Sequence, residues 1–152
     1  AAIIANKGWF YVPHFVKSIG RKGPLAVYRT KKYTMVHSRH FAPVIEGMRR
    51  VVNENGGTAR MARLENILIC GKTGTVQNPH GEDHSVFIAF APMYKPKIAI
   101  AVFVENAGFG GTWAAPIASL MIEKYLKRKI SDKDKEKRII EAKLAYISNQ
   151  GE

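Results

Sequence analysis

The chain has 152 residues, of which 46% are hydrophobic and 10% aromatic, so it can bury a core as one domain. Lys and Arg number 24 against 12 Asp and Glu, and the formal charge of +12 first suggests a nucleic-acid ligand. Acidic residues interrupt the basic tail from Lys124 to Lys143, however, and neither a recognition helix nor an RNA-binding aromatic strand is evident. An anionic membrane or wall polymer explains the charge at least as well.

No membrane span, internal disulfide or cysteine-based zinc cluster is expected. The apolar runs fall far short of about 20 residues, and the N-terminus lacks the layout of a signal peptide. Cys70 is the only cysteine, and its place at the end of an apolar run favours a buried, inert thiol.

Gly and Pro divide the N-terminal part of the chain into short pieces. The residues up to Gly8 look like the end of a helix, and the lack of a start signal suggests a piece cut from a longer protein. The aromatic segment 9–16 is expected to be extended, because Pro13 excludes a helix. Residues 17–32 then form a surface excursion with a short strand at 25–28.

An amphipathic helix is predicted after Ser38, with Pro43 in its first turn, where the missing N–H does no harm. Apolar residues at helical spacing predict its buried stripe, which comprises Val44, Ile45, Met48, Val51 and Val52. Residues 53–57 end the helix, with Gly56 or Gly57 in the left-handed conformation.

Three apolar segments then predict an antiparallel sheet. They comprise residues 67–77, 84–91 and 97–104, and the turns between them contain Pro. The third segment alternates large with small apolar residues and has no polar face. We therefore expect cover on both sides of the sheet, with a helix packed closely on Ala99 and Ala101.

A second long helix follows the flexible loop 105–111. Thr112 is its predicted cap, and Pro116 lies in its first turn. Its predicted buried stripe comprises Ala114, Ile117, Ala118, Met121, Ile122 and Tyr125. The tail from Lys127 is charged and weakly helical through Leu144. This order of elements predicts an α+β fold, an antiparallel β-sheet flanked by helices.

The stretch with the most chemical information is Lys72-Thr73-Gly74-Thr75, where an apolar strand turns polar. Lys can bind an anion, Thr hydroxyls can donate hydrogen bonds, and Gly lets a ligand backbone come close, so this half of the strand is expected to line a cleft. A solvated strand end is the alternative. A phosphate-binding loop is disfavoured, because Asn66 stands where that motif needs Gly and the chain continues as a strand.

The histidines offer weaker catalytic or metal-binding patterns. None forms a helical pair at the spacing of a metal site, and structural or solvated roles are favoured for His14, His37, His40, His80 and His84. The sequence has no Gly-x-Ser-x-Gly elbow that would place a nucleophilic Ser beside a His.

With its neighbours, the Lys-Thr-Gly strand resembles the penicillin-recognising serine transferases, and class B penicillin-binding proteins of the elongation type in particular. The similar segments occur in the order seen in that family: 46–52, 57–60, 70–77, 87–92, 104–108 and 110–116. The resemblance makes residues 1–126 the C-terminal portion of a penicillin-binding transpeptidase domain, with a partial form of that fold. Residues 127–152 remain as a basic, weakly helical tail.

The Ser-x-x-Lys and Ser-x-Asn signatures of that family are absent from this sequence. None of its six serines has Lys three residues on or Asn two residues on. They are Ser18, Ser38, Ser85, Ser119, Ser131 and Ser148. Both signatures precede the similar segments in the family, so the resemblance implies a C-terminal fragment that carries one wall of the cleft and is inactive alone.

The resemblance also implies a role for each residue of the polar strand. Lys72 would be catalytic and substrate-binding, since it supports the Ser of the absent middle signature and attracts the substrate carboxylate. Thr73 would hydrogen-bond that carboxylate, and Gly74 would leave room for a peptide that pairs along the strand. The backbone N–H of Thr75 would be one catalytic oxyanion donor, and the absent nucleophile would supply the other. No cofactor or metal is implied.

For the intact protein, the resemblance implies acyl transfer through a Ser ester, with a peptidoglycan stem peptide as substrate and β-lactam antibiotics as inhibitors. It implies an inner-membrane protein that faces the periplasm, with elongation-complex membrane proteins bound through regions outside this chain. A truncated sheet edge could pair two copies as a homo-oligomer, and no nucleic acid is expected. The alternative is a basic binding module for nucleic acid or an anionic wall polymer. A class A β-lactamase relative is disfavoured by the long basic tail.

Overall fold

The computed structural model describes residues 1–142, so the predicted helical position Leu144 lies outside the described residues. The helices are α1 (Ala2–Ala5), α2 (Ala26–Arg29), α3 (Phe41–Asn53), α4 (Ala114–Lys127) and α5 (Lys133–Ile140). The strands are β1 (Trp9–Phe10), β2 (Lys32–Tyr33), β3 (Cys70–Val76), β4 (His84–Ala91) and β5 (Ile98–Val104). Single turns of 3-10 helix occur at Ser38–His40 and Arg60–Ala62. None of the described helices is long and apolar enough to cross a bilayer.

Strands β3, β4 and β5 form an antiparallel sheet in that order, which confirms the predicted α+β class. The first strand starts later than predicted, at Cys70, because the Leu68 carbonyl accepts a hydrogen bond from the Met93 N–H (2.8 Å) outside the regular ladder. Lys72 pairs with Ile88 in the middle of the ladder. The polar motif is therefore the body of the strand rather than its end.

Helices cover the two faces of the sheet and build two apolar clusters. On one face α4 packs against β4, with Phe87, Ala89, Ala91, Ala114, Ala118 and Ile122 buried together. On the other face α3 packs against β3 and β4, with Phe41, Ile45, Met48, Cys70 and Phe90 buried together. A Cβ added at Gly71 would overlap the Phe87 ring, so the close contact of β3 with its core requires Gly there.

Both long helices bury a slightly different stripe from the one predicted. Val44 is 46% exposed and Phe41 takes its place in the core, because α3 begins at Phe41 and turns that ring inward. In α4, Met121 and Tyr125 are about half exposed, whereas the polar Ser119 is buried. The predicted stripe of α4 was therefore partly wrong.

The prediction that both sides of the sheet are covered was wrong at β5. Ala99 and Ala101 are exposed in the described part of the chain, and Phe103 on the same face is 55% exposed. The opposite face, with Ile100 and Val102, packs against the α4 core. In β5 the larger aliphatic residues therefore face the core, and the small residues Ala99 and Ala101 face solvent without the predicted helix.

The short strand predicted at 25–28 was also wrong, because this segment forms the helical turn α2. Thr30 donates hydrogen bonds to the Ala26 carbonyl from both its N–H (3.0 Å) and its hydroxyl (2.8 Å). An apolar run this short has no decisive periodicity, so local hydrogen bonds determine the outcome. The predicted left-handed Gly after α3 is confirmed, since Gly56 has a φ of +84°.

A carboxylate on α3 provides a pH-dependent prediction. Glu46 accepts hydrogen bonds from Arg49 (2.7 and 2.9 Å) and Arg50 (3.1 Å), which hold the pKa of its carboxyl at about 2 rather than 4.5. Folding then favours the ionised form, so this stabilisation is complete above pH 4.5 and is lost as the pH falls through about 2. We expect an NMR titration of Glu46 with a midpoint near 2 that Arg49→Ala moves toward 4.5. An unshifted midpoint in the parent chain would contradict the network.

Candidate functional site

The alternation of β3 separates the residues of the polar motif between two faces. Thr73 and Thr75 share one face and line a cavity of about 560 Å³. Lys72 is exposed on the other face, where its Nζ donates a hydrogen bond to the Thr73 carbonyl oxygen (2.7 Å). The structure thus brings the two Thr hydroxyls to one cavity. The Lys72 side chain leaves the strand on the opposite face.

Gly74 lies on the same face of β3 as Lys72 and has no packing requirement of its own. A Cβ added there would make an ordinary 3.4 Å contact with the Cβ of Val86. The contrast with Gly71 is clear, because a Cβ at Gly71 would overlap a buried ring. Packing within the described chain therefore does not require Gly at position 74.

Thr58 is a cavity residue for which the sequence suggested no role. Its hydroxyl oxygen lies 3.0 Å from that of Thr73, so the two side chains share a hydrogen bond at the cavity wall. This contact orients the Thr73 hydroxyl. The only sequence signal was the position of Thr58 within the similar segment 57–60, and that segment carries no periodicity or spacing that points to β3.

The wall opposite the Thr pair is the loop 109–113. A Cβ added at Gly110 would overlap the Val86 carbonyl oxygen and lie 2.5 Å from that of Gly74, and one added at Gly111 would overlap the Thr58 carbonyl oxygen. The loop backbone therefore sits directly on the two strands of the site, which only Gly at these positions permits.

Ser85 fixes both ends of this loop from β4. It is fully buried, its hydroxyl donates to the Phe109 carbonyl (3.0 Å), and its oxygen accepts from the Ala114 N–H (3.1 Å). It thereby satisfies a free N–H at the start of α4, which was the function predicted for Thr112. The predicted cap was wrong, because a neighbouring strand supplies the hydroxyl.

The outer edge of β3 is open within the described residues. The sheet order places β3 at one end, and its partner β4 lies on one side only. An exposed strand edge offers unpaired N–H and C=O groups to an extended peptide. The edge, the Thr pair and the glycine loop together make a cleft suited to peptide main chain and carboxylate.

The cysteine and histidines are placed as the sequence suggested. Cys70 is buried, and burial raises the pKa of its thiol to about 11, which makes the reactive thiolate rare. His84 accepts a hydrogen bond from the Asn106 N–H (3.0 Å), a structural role that joins β4 to the loop after β5. No cluster of three or more metal-binding side chains occurs among residues 1–142.

A second cavity, of about 590 Å³, lies between the link before β3 and the junction of α4 with α5. Its cations are Arg63, Lys127, Lys129 and Lys135, and its acids are Glu65, Glu123 and Asp132. The buried Glu123 carboxylate is already bonded to the Lys127 ammonium (3.4 Å) and the Ser131 N–H (3.1 Å). Charges of both signs alternate here, so this cavity does not form a strong anion site.

An antiparallel sheet with helices on both faces, carrying Lys-Thr-Gly-Thr on an edge strand beside a cleft, defines a partial penicillin-recognising transpeptidase fold. The chain belongs to the family of penicillin-binding protein transpeptidase domains, because residues 1–123 match that domain.

Similar proteins and structures place the chain within this family. The peptidoglycan D,D-transpeptidase MrdA of Haemophilus influenzae is 31% identical over 88% of this chain and 23% of its own length. The structure of Pseudomonas aeruginosa PBP2 in complex with WCK 5153 has a TM-score of 0.69 and 34% identity over 86% of this chain and 29% of that one. Penicillin-binding protein A of Mycobacterium tuberculosis, as a ceftriaxone acyl-enzyme complex, has a TM-score of 0.64 and 32% identity over 82% of this chain and 30% of that one.

These similarities confirm the predicted fold and the resemblance to PBP2-type D,D-transpeptidases. The chain spans about a quarter of the length of the H. influenzae relative.

Proposed function

We propose that this chain forms the substrate-binding wall of a peptidoglycan D,D-transpeptidase of the elongation type. The observation that carries the proposal is an edge strand with Lys72, Thr73 and Thr75 exposed or half-buried beside an open cleft. The family supports it, since the relatives are D,D-transpeptidases. In the proposed reaction, a Ser oxygen attacks the carbonyl of the terminal D-Ala peptide bond. D-Ala leaves, and the acyl group passes to the amine of a second stem peptide.

Each residue of the strand has a proposed contact with the substrate. The Lys72 ammonium attracts the substrate carboxylate and exchanges its local bond to the Thr73 carbonyl for that anion. The Thr73 hydroxyl, held by Thr58, donates to the same carboxylate. Gly74 lets the peptide backbone approach, and the Thr75 N–H binds the oxyanion of the tetrahedral intermediate. Removing one such donor costs about 3–4 kcal/mol of transition-state stabilisation.

The nucleophile of the proposed enzyme comes from a segment outside this chain. None of the six serines stands in a Ser-x-x-Lys sequence, and the resemblance implies that this Ser precedes the segments present here. We therefore propose that the chain alone does not form an acyl-enzyme. The intact protein is proposed to be anchored in the inner membrane, face the periplasm, and meet elongation-complex proteins through its other regions.

β-Lactam antibiotics are the proposed covalent inhibitors of the intact protein. A β-lactam carries a carboxylate and an acylating carbonyl, and these fit the proposed Lys72–Thr73 and Thr75 contacts. Penicillin-binding protein A of M. tuberculosis forms an acyl-enzyme complex with one such drug, ceftriaxone. The stem peptide and the β-lactam would therefore compete for the same edge of β3.

A fluorescent penicillin tests the proposed function. The chain alone is expected to show no covalent label after denaturing electrophoresis. The protein that joins it to its Ser-x-x-Lys segment is expected to label stoichiometrically, and unlabelled penicillin should block that label. Stoichiometric labelling of the chain alone would contradict the division of roles, and a lack of labelling in the joined protein would contradict the function itself.

Binding to an anionic wall polymer is the second candidate function, favoured by the exposed N-terminal part of the chain. The first 45 residues carry eight Lys and Arg and no Asp or Glu. Such a surface attracts polyanions by charge alone. Anisotropy with labelled DNA and with a labelled anionic wall polymer should then fall steeply between about 50 and 200 mM salt for both ligands. Retained binding of one ligand at high salt would instead show specific recognition.

A further inference from the structure

Arg138 connects the C-terminal helix α5 to the wall of the cleft. Its Nη2 donates a hydrogen bond to the Thr112 carbonyl oxygen (2.8 Å), and its guanidinium carbon lies 4.7 Å from the centre of the Trp113 ring. The Met61 sulfur lies 3.9 Å from Nη1. Both Thr112 and Met61 line the cavity that holds Thr73. One side chain of the tail helix thus contacts the outer side of the cleft on two segments.

The loop that Arg138 contacts is tightly seated on its inner side. Gly110 and Gly111 lie directly on the backbones of Gly74 and Thr58, as the overlap of an added Cβ at each position shows. Ser85 holds both ends of the loop. A shift at the Thr112 carbonyl would therefore move backbone that is in direct contact with β3, because no side chains lie between them to absorb it.

Helix α5 is itself held in place where it starts. The Asp132 carboxylate accepts a hydrogen bond from the Lys135 N–H (2.8 Å) and caps the helix. One residue earlier, the Ser131 N–H donates to the buried Glu123 carboxylate of α4 (3.1 Å). Burial alone would raise the pKa of Glu123, but the hydrogen bonds from Ser131 and Lys127 lower it, so this anchor is ionised at neutral pH.

We propose that Arg138 is a positioning residue for ligand binding, which fixes the loop 109–113 against β3 and so sets the width of the cleft. This inference rests on the proposed function, and the ligand affected is the acyl donor or the β-lactam. The guanidinium supplies a charge-assisted hydrogen bond and a stacking contact at once, a combination that Lys cannot reproduce. The tail helix thereby contributes to a site that it does not line.

The test compares R138A, R138K and K137A in the protein that joins this chain to its nucleophile segment. Stopped-flow acylation by a fluorescent penicillin separates the non-covalent dissociation constant from the acylation rate constant. R138A is expected to raise the dissociation constant about tenfold and to leave the rate constant within about twofold. R138K should recover part of the affinity. K137A removes an exposed charge from the same helix and should change neither constant.

Hydrogen exchange of the same variants measures how firmly the loop 109–113 is held, independently of catalysis. R138A should speed exchange of the Thr112 amide, which bonds to the Phe109 carbonyl (2.9 Å), and leave β4 amides unchanged. Unchanged Thr112 exchange and affinity, equal effects in K137A, or faster exchange throughout the sheet would each overturn the proposal. If the parent protein is not acylated, the proposed function is wrong, and the exchange rates alone then decide whether Arg138 fixes the loop.

Discussion

Replacing Lys72 with Met is expected to lower the second-order rate of acylation by penicillin about a hundredfold in the protein that joins this chain to its nucleophile segment. The Met side chain keeps the aliphatic stem and removes only the ammonium, which is the proposed partner of the ligand carboxylate. Leaving that carboxylate unpaired in the cleft costs about 2–5 kcal/mol. The rate of acylation is measured as the loss of free fluorescent penicillin.

Lys72→Met should not change the free energy of unfolding, because Lys72 is exposed and its described hydrogen bond is to the neighbouring Thr73 carbonyl. The matched control is Lys97→Met, which removes an exposed ammonium that precedes β5 and lies outside the motif. It should acylate at the parent rate. Lys72→Arg retains the charge, so its acylation rate should fall less than that of Lys72→Met. Equal rates for Lys72→Met and the control would contradict the proposed carboxylate contact.

The three strands of the main sheet and the two long helices could be predicted because their signals are local. Strand β4 has the same bounds in the sequence and in the structure, since its apolar run is limited by a polar turn and by Pro92. Helix α3 follows from its periodic apolar residues and the Gly-rich end. Exposure was harder to predict, because the apolar residues Met121 and Tyr125 remain about half exposed.

The residues of the candidate site could be predicted only where they lie together in one segment of the sequence. The polar strand made Thr73 and Thr75 candidate residues, but the cavity that both of them line also needs residues of the loop 109–112, which the sequence does not connect with the strand. Thr58, Ser85 and Arg138 act through partners 15, 29 and 26 residues away, distances at which spacing in the sequence has no meaning. Thr112 illustrates the same point. It was the local candidate for the cap of α4, but Ser85 of β4 accepts the hydrogen bond from the Ala114 N–H instead.

Gly110→Ala is expected to lower the free energy of unfolding by about 3 kcal/mol, near the upper end for an added methyl in a packed site. The new Cβ would meet the carbonyl oxygens of Val86 and Gly74, and backbone in a paired ladder cannot rotate away as a side chain can. Relief requires the loop to lift from β3, so the cleft should open as well. Urea denaturation of the chain measures the first effect, and acylation of the joined protein measures the second.

Gly47→Ala is the matched control for this substitution. Gly47 lies within α3, and nothing stands within 4 Å of the position where its Cβ would be, so the same methyl should stabilise the helix by about 0.5–1 kcal/mol. The two substitutions are thus expected to change the free energy of unfolding in opposite directions, although each adds one methyl group. If Gly110→Ala were as stable as Gly47→Ala and acylated at the parent rate, the glycine loop would not be seated on β3 as described.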